Sequence, residues 1–270
     1  MTYELGILGA GNMAEAIVRG VLRANRLKPE QIIAADVAPA RRQLFAEQLK
    51  IKAVEDNAEV ARQSRVILLS VKPQQSQAAL AGIGGVLSPD ALVISIMAGV
   101  STRFIETALG GGKRWRVIRT MPNTPMLVGQ GVVGVAPGQH ATAADVAHAH
   151  HLFEAAADVV DVTEDKIDAV TAVSGSGPAY VFFLVEQMIA AGMELGLTDA
   201  QARQLATKTA LGAATMLSTS NDSPAELRRK VTSPGGTTQA AITHMESQGF
   251  AQMVCDAIKA AEKRSKELGT

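Results

Sequence analysis

The sequence has a single cysteine, few aromatic residues and no net charge. Cys255 is alone among 270 residues, which excludes an intrachain disulfide and is typical of a reducing compartment. Aromatic residues make up only 3% of the chain, which argues against base stacking. Basic and acidic residues are equal in number, 26 of each, so the positive field of a nucleic-acid-binding or membrane-surface protein is missing. The composition favours a small neutral or zwitterionic ligand and no nucleic acid.

Long hydrophobic runs are also missing from the sequence. No stretch approaches the roughly 18 uninterrupted apolar residues that would indicate a membrane-spanning helix. The opening segment MTYELGIL has no basic region before its apolar run, so it does not resemble a signal peptide. A hydrophobic content of 47% with 19% charged residues is that of a soluble globular protein with a sizeable core. We therefore expect a cytoplasmic protein with no membrane contact.

Short apolar runs alternate with helical stretches from residue 4 to about residue 120. Alternation of this kind predicts a parallel sheet, and runs without polar positions predict strands covered by helices on both faces. The runs are ELGIL, IIAAD, VILLSV, ALVISI and WRVIR. GVVGVAP predicts one or two further strands, and residues 142–156 predict a closing helix. The fold class is α/β, with a Rossmann-type domain over residues 1–162.

Beyond residue 162 the pattern is helical almost without a break. A helix predicted over residues 179–195 is apolar nearly all round, with only Glu186, Gln187 and Glu194 to contact water. Such a helix is either wrapped by its own domain or buried in an oligomer interface, and the small size of the C-terminal part favours the interface. We predict an all-α dimerisation domain over residues 163–270.

The motif GAGNMA, residues 9–14, lies between the first predicted strand and a helix. In this setting G-x-G-x-x-A indicates dinucleotide binding. Gly9 permits the tight turn, Gly11 lets the backbone approach a pyrophosphate, and Ala14 lets the helix pack on the strand. The start of the helix supplies unpaired N–H groups and the positive end of its dipole. We expect Gly9, Ala10, Gly11, Asn12 and Met13 to bind the cofactor.

Residues at the ends of later strands bear on which dinucleotide is bound. Asp36 ends the second run, where a carboxylate accepts from a ribose 2′-hydroxyl and repels a 2′-phosphate, favouring NAD. Arg41 and Arg42 follow and could bind a 2′-phosphate, so NADP stays open. Ligands in open parallel sheets lie beyond the carboxyl ends of the strands. The turns at residues 72–73 and 98–99 are therefore expected to line the cofactor.

Three histidines lie in the segment AHAHHLF. Helical spacing places His148 and His151 on one face, and His150 lies between them in the sequence. Metal sites usually need more donors than this, so we interpret the histidines as a solvated helix face and predict no metal.

Six segments together resemble pyrroline-5-carboxylate reductase. They lie in the family's order over nearly the whole chain, and MPNTP and SPGGTT are each specific. The segments are GAGNM, VKPQ, SIMAGV, RTMPNTP (119–125), VSGSGPAY (173–180) and VTSPGGTT (231–238). The resemblance implies reduction of the cyclic imine L-1-pyrroline-5-carboxylate to L-proline, the last step of proline biosynthesis, with NADPH or NADH.

The resemblance also implies roles for individual residues. The N–H groups of Gly235, Gly236 and Thr237 would bind the substrate carboxylate, since a helix start suits an anion without an arginine. Thr238 would reach the ring nitrogen and is the catalytic candidate. Ser233 and Glu164 complete the expected substrate site. The expected cofactor contacts are Gly9, Ala10, Gly11, Asn12, Met13, Asp36, Asn57, Val71, Lys72, Pro73, Ala98, Gly99 and Asn123.

The resemblance further implies a homodimer with interleaved C-terminal helices. In this dimer one subunit's SPGGTT loop completes its neighbour's site. The dimers are expected to assemble further into a decamer of dimers. One departure is Lys230, where some relatives carry an amide that touches the nicotinamide ribose.

The sequence argues against two other functions. A β-hydroxyacid dehydrogenase also joins a Rossmann domain to a helical domain but would use a helix lysine, and none follows VSGSGPAY within two turns. A nucleotide sensor or scaffold would show a damaged substrate loop, and SPGGTT is intact.

Overall fold

A computed structural model describes residues 2–110 and 112–269. The chain forms two compact units. The first is Met1–Ser176 together with Ala261–Thr270, and the second is Gly177–Ala260. The predicted domain boundary at residue 162 follows the last strand directly, whereas the first unit runs on to Ser176. As a division into functional domains, the boundary stays a prediction.

The first unit contains an eight-stranded sheet. The order across the sheet is β3-β2-β1-β4-β5-β6-β7-β8. The chain builds outward from β1 to β3 on one side and then crosses to β4 on the other, so β1 and β4 flank the point where the strand order reverses. The strands are β1 (Tyr3–Leu8), β2 (Ile32–Ala35), β3 (Lys52–Val54), β4 (Ser64–Leu69), β5 (Leu92–Ser95), β6 (Arg116–Pro122), β7 (Gly131–Pro137) and β8 (Ala157–Asp161).

Helices cover both faces of this sheet. One hydrophobic cluster contains Ile17, Phe45 and Phe153 from α1, α2 and α6. The other contains Leu80 and Ile105 from α4 and α5. Both clusters explain why the strands are apolar without alternation. The first-unit helices are α1 (Asn12–Arg23), α2 (Pro39–Gln48), α3 (Asn57–Gln63), α4 (Ser76–Ala81), α5 (Thr102–Ala108), α6 (Ala143–Phe153) and α7 (Ile167–Val170).

The prediction of a parallel sheet over residues 4 to about 120 is confirmed by β1 to β6, whereas the direction of β7 was not predicted. Strands β1 to β6 pair in parallel, but β7 runs antiparallel to β6. Residues 123–130 connect these two strands through Gly129 at φ +72°, which is too short for the crossover that a parallel pair requires. Sequence reasoning also missed β3 and β8. Both lie at the edges of the sheet and are short or partly exposed.

The second unit is helical, as expected. A π-helical turn over Thr171–Gly175 precedes it. The helical segment after residue 236 is interrupted at Gly249, where φ is +72°. The helices are α8 (Gly177–Glu194), α9 (Asp199–Thr219), α10 (Pro224–Lys230), α11 (Thr237–Ser247) and α12 (Phe250–Leu268), of which α12 continues into the first unit.

Helix α8 has no buried residue. Phe182 and Phe183 are 68% and 63% exposed. Burial of this helix by its own unit was one of the two predicted alternatives, and the structure does not show it. The stretch Glu164–Glu194 is also long and apolar enough, by length and composition, to cross a membrane. Contiguous exposed apolar side chains of this kind are typical of an interaction surface.

Candidate functional site

The turn between β1 and α1 has the geometry of a dinucleotide-binding turn. Gly9 has φ +94°, and a Cβ there would lie 2.7 Å from the Ser70 carbonyl oxygen and 2.8 Å from the Val71 nitrogen. Only glycine fits this position. Gly11 precedes α1 without a side-chain cap, and a Cβ on Gly11 would meet nothing within 4 Å. The open space beside uncapped N–H groups fits a pyrophosphate.

The predicted cofactor residues lie together at one edge of the sheet. Strands β1 to β6 are parallel, so their carboxyl ends meet there. Each predicted residue lies in a turn or helix start that follows one of these strands. After β1 come Gly9 to Met13; after β2, Asp36; after β3, Asn57; after β4, Val71, Lys72 and Pro73; after β5, Ala98 and Gly99; after β6, Asn123. The arrangement supports one elongated cofactor site at the carboxyl ends of the strands, near β1 and β4, where the strand order reverses. The roles of the individual residues stay predictions.

Asn123 also has a structural role that the sequence did not reveal. Its side-chain oxygen accepts a hydrogen bond from the Val132 N–H at 3.0 Å. Its amide nitrogen donates to the Ser174 carbonyl at 3.3 Å. Asn123 therefore joins the end of β6 to β7 and to the π-helical turn.

Gly99 lies under the C-terminal end of the chain. It has φ +75°, and a Cβ there would be 3.0 Å from the Gly269 nitrogen. Gly269 was not singled out from the sequence. The contact joins residues that are distant along the chain, and no local pattern could have indicated it.

Glu164 anchors the start of α5. The Thr102 N–H and hydroxyl donate to its two carboxylate oxygens at 2.7 and 2.6 Å. Arg119 lies 3.6 Å from the same carboxylate and 3.4 Å from that of Asp168, and Asp168 also accepts from the Ser265 hydroxyl. Glu164 therefore holds the segment that follows Gly99. The substrate-binding role implied by the resemblance stays a prediction.

Replacing Glu164 with alanine is expected to lower the free energy of unfolding by about 2 kcal/mol, because Thr102 and the buried Arg119 lose a charged partner. Denaturant unfolding measures this. The control is Asp165→Ala, because Asp165 is exposed, pairs with Lys166 at the surface and should change stability by less than about 0.5 kcal/mol. A Glu164 variant of normal stability with a raised KM for the imine would instead assign Glu164 to substrate binding.

Glu15 is ionised under ordinary conditions. Burial opposes its ionisation, but hydrogen bonds from Arg41 and Arg19 outweigh that cost and hold the pKa of the carboxyl below its usual value. The carboxylate is thus a permanent partner for Arg41.

The predicted substrate loop begins helix α11. Gly236 precedes Thr237 and provides no side-chain cap. The Ala240 N–H is bonded to the Gly236 carbonyl, so the N–H groups of Thr237, Thr238 and Gln239 have no partner within the helix. This helix start can accept an anion.

Two of the three predicted carboxylate donors are engaged within the loop. The Gly236 N–H donates to the Ser233 carbonyl at 3.0 Å. The Gly235 N–H donates to the side-chain oxygen of Gln239. Gly235 has φ +71°, so the turn requires a glycine-like conformation. Gln239 was not singled out from the sequence, although its spacing of four residues from Gly235 places it one turn away.

Within the residues that the structure describes, no group of three His, Cys, Asp or Glu side chains could hold a metal ion. His150 pairs with Asp161 at 2.7 Å, and His151 contacts Arg26 at 2.6 Å.

Comparisons with known proteins agree with this architecture. A family model described as pyrroline-5-carboxylate reductase dimerisation matches residues 164–268, and one described as NADP oxidoreductase, coenzyme F420-dependent, matches residues 4–99. The chain is 42% identical over 270 residues to a pyrroline-5-carboxylate reductase of Synechocystis sp., which covers 100% of this chain and 99% of that protein.

Two solved structures are similar over the whole chain. A pyrroline-5-carboxylate reductase from Coxiella burnetii has a TM-score of 0.90 at 36% identity and covers 100% of both chains. The pyrroline carboxylate reductase of Plasmodium falciparum, solved with NADP bound, has a TM-score of 0.88 at 29% identity and covers 99% of this chain and 98% of that one.

Proposed function

The chain belongs to the pyrroline-5-carboxylate reductase family, and on that premise we propose that it reduces L-1-pyrroline-5-carboxylate to L-proline. The reductant is NADPH or NADH, and the reaction is the last step of proline biosynthesis. The observation that carries the proposal is the uncapped start of α11 within the family's SPGGTT sequence. It offers an anionic substrate backbone N–H donors without requiring an arginine.

The residues of this chain act mainly by positioning the substrate. Reduced nicotinamide supplies the hydride when it is bound. The free N–H groups at the start of α11 hold the substrate carboxylate, with Ser233, Gly235 and Gly236 shaping the loop around it. The Thr238 hydroxyl hydrogen-bonds the ring nitrogen. A protonated imine is already electrophilic at carbon, so orientation and electrostatic complementarity supply most of the rate enhancement.

The test is an absorbance assay with purified protein and the imine. Oxidation of NADH and of NADPH is followed side by side, and we expect imine-dependent loss of the reduced-nicotinamide band with at least one of them. Folded protein that binds a dinucleotide but oxidises none in the presence of the imine would contradict the proposal and favour a nucleotide sensor.

Replacing Thr238 with alanine is expected to lower kcat about 30-fold, the equivalent of losing one hydrogen bond of about 2 kcal/mol in the transition state. Thr238 is half-buried in the first turn of α11, so the melting temperature should change little. Steady-state kinetics measure the effect. Thr238→Ser keeps the hydroxyl and should retain most of the activity. Unchanged kinetics in the alanine variant would remove the assigned role.

The protein is a homo-oligomer in this proposal, with the dimer formed through the C-terminal helices. The family model for the dimerisation region covers residues 164–268, and α8 lies within it with its apolar side chains exposed. A second copy covers these side chains, so the helical stretch is an interface and not a membrane span. As the resemblance implies, one subunit's SPGGTT loop completes its neighbour's site.

The same proposal covers the roles of the two domains, the larger assembly and the location of the enzyme. Residues 1–162 bind the dinucleotide, and residues 163–270 dimerise and bind the substrate. The dimers assemble further into a decamer of dimers. The enzyme works in the cytoplasm without membrane contact, in keeping with its single cysteine and balanced charge.

A further inference from the structure

The carboxylate of Asp36 is fixed beside the dinucleotide turn. One oxygen accepts a hydrogen bond from the Ala10 N–H at 2.7 Å, and the other accepts from the Ala38 N–H at 2.8 Å. These bonds hold the side chain against the residue between the two glycines of the turn. Asp36 remains partly exposed at the carboxyl end of β2.

This location bears on which adenosine ribose the site can accept. In a Rossmann domain, a side chain at the end of the second strand lies at the adenosine ribose. A carboxylate there accepts hydrogen bonds from a 2′-hydroxyl. The same carboxylate repels a 2′-phosphate, which carries about two negative charges at neutral pH. An anchored carboxylate cannot rotate away to relieve that repulsion without breaking its bonds to Ala10 and Ala38.

The nearby arginines are engaged with other groups. Arg41 donates to the Ala10 carbonyl and pairs with Glu15 at 2.8 Å. The lowered pKa of Glu15 keeps that partner charged. Moving the Arg41 guanidinium towards a 2′-phosphate would weaken its ion pair with Glu15, so part of the gain from a new phosphate contact would be offset.

Arg42 is engaged in the same way. Its guanidinium donates to the Asp36 carbonyl at 2.8 Å and to the Val37 carbonyl at 3.0 Å. It also pairs with Glu55 at 3.2 Å. Arg42 therefore stabilises the turn after β2 through backbone contacts, a role that neither dinucleotide changes.

We propose that Asp36 makes this chain select NAD(H) over NADP(H), with Arg41 and Arg42 serving the turn and not a 2′-phosphate. The proposal rests on the proposed function for its physiological meaning, because it names the reductant of that reaction. The preference for NAD(H) in binding can be measured without the imine.

The test compares dissociation constants of NAD⁺ and NADP⁺, measured by calorimetry in the absence of the imine. The unmodified protein should bind NAD⁺ at least about tenfold more tightly, the ratio expected from one charge–charge repulsion in a partly exposed site. Asp36→Asn removes the charge and keeps an acceptor of the same size. In that variant NADP⁺ affinity should rise about tenfold relative to NAD⁺.

A second pair of variants separates specificity from structure. Asp36→Ser removes the charge and most of the side chain, and it should shift the NAD⁺/NADP⁺ ratio in the same direction as asparagine. Arg42→Ala should change the ratio by less than about threefold, because the contacts of Arg42 are with backbone carbonyls of the turn and with Glu55. Melting temperatures of all variants report damage to the turn.

Two results would overturn the proposal. One is tighter binding of NADP⁺ than of NAD⁺ by the unmodified protein. The other is an equal loss of both affinities in the Asp36 variants, which would mean that Asp36 only supports the turn. A protein with the expected binding ratio that fails to reduce the imine would leave this inference standing and refute the proposed reaction.

Discussion

Replacing Phe182 and Phe183 together with glutamate is expected to dissociate the protein into monomers and to lower its activity roughly 100-fold. Both rings lie on α8 and are more than 60% exposed in the single chain. Burying each ring against a second copy contributes about 2 kcal/mol, and each buried glutamate adds a further penalty. Because the interface is symmetric, both subunits carry the damage.

The measurement combines light scattering after size-exclusion chromatography with activity over a dilution series. The matched control is Ala46→Glu, which places one new charge on the exposed side of α2 in the first unit and should leave both oligomer size and activity unchanged. Full activity in a variant shown to be monomeric would refute the shared site. An unchanged oligomer would show that other surfaces form the interface.

Replacing Gly11 with alanine is expected to weaken dinucleotide binding about 100-fold without lowering the melting temperature. The new methyl group would have no described atom within 4 Å, and φ at Gly11 is −72°, so the substitution creates no strain. It occupies the space that the pyrophosphate needs. Binding of NADH is followed by its fluorescence, and stability by thermal unfolding.

Gly9→Ala is the matched comparison because it is expected to lower stability, whereas Gly11→Ala is expected to weaken binding and leave stability unchanged. Its φ of +94° is unfavourable for alanine, and the Cβ would overlap backbone atoms of Ser70 and Val71. Strain and overlap together should cost about 3 kcal/mol of unfolding free energy. If Gly11→Ala bound NADH normally, the cofactor would not lie against this turn. A Gly9→Ala protein of normal stability would contradict the described geometry.

Much of the dinucleotide-binding unit could be predicted from local patterns. The five apolar runs became β1, β2, β4, β5 and β6, because strands buried on both faces have no polar positions. The GAGNMA turn adopts the strand-turn-helix setting that the motif requires. The edge strands β3 and β8 were missed, since they have only three and five residues and are exposed or partly exposed throughout, which resembles a loop.

The substrate loop was predicted less completely. Its helix start was expected and is present at Thr237. The engagement of Gly235 by Gln239 and of Gly236 by Ser233 was not expected. Sequence motifs identify which residues can donate a hydrogen bond, whereas the turn conformation decides which donors remain free.

Local sequence was sufficient for the five central strands and the helical character of the C-terminal part, the glycine turn and the apolar character of α8. These features depend on residues within one or two turns of each other, so their periodicity and backbone preferences can be read directly. The tertiary structure alone decided that β7 is antiparallel, that Glu164 holds Thr102 from 62 residues away, and that Asp36 is fixed while Arg41 and Arg42 are engaged. Such contacts arise only after the sheet brings distant turns to one edge, because their energies depend on proximity in space and not along the chain.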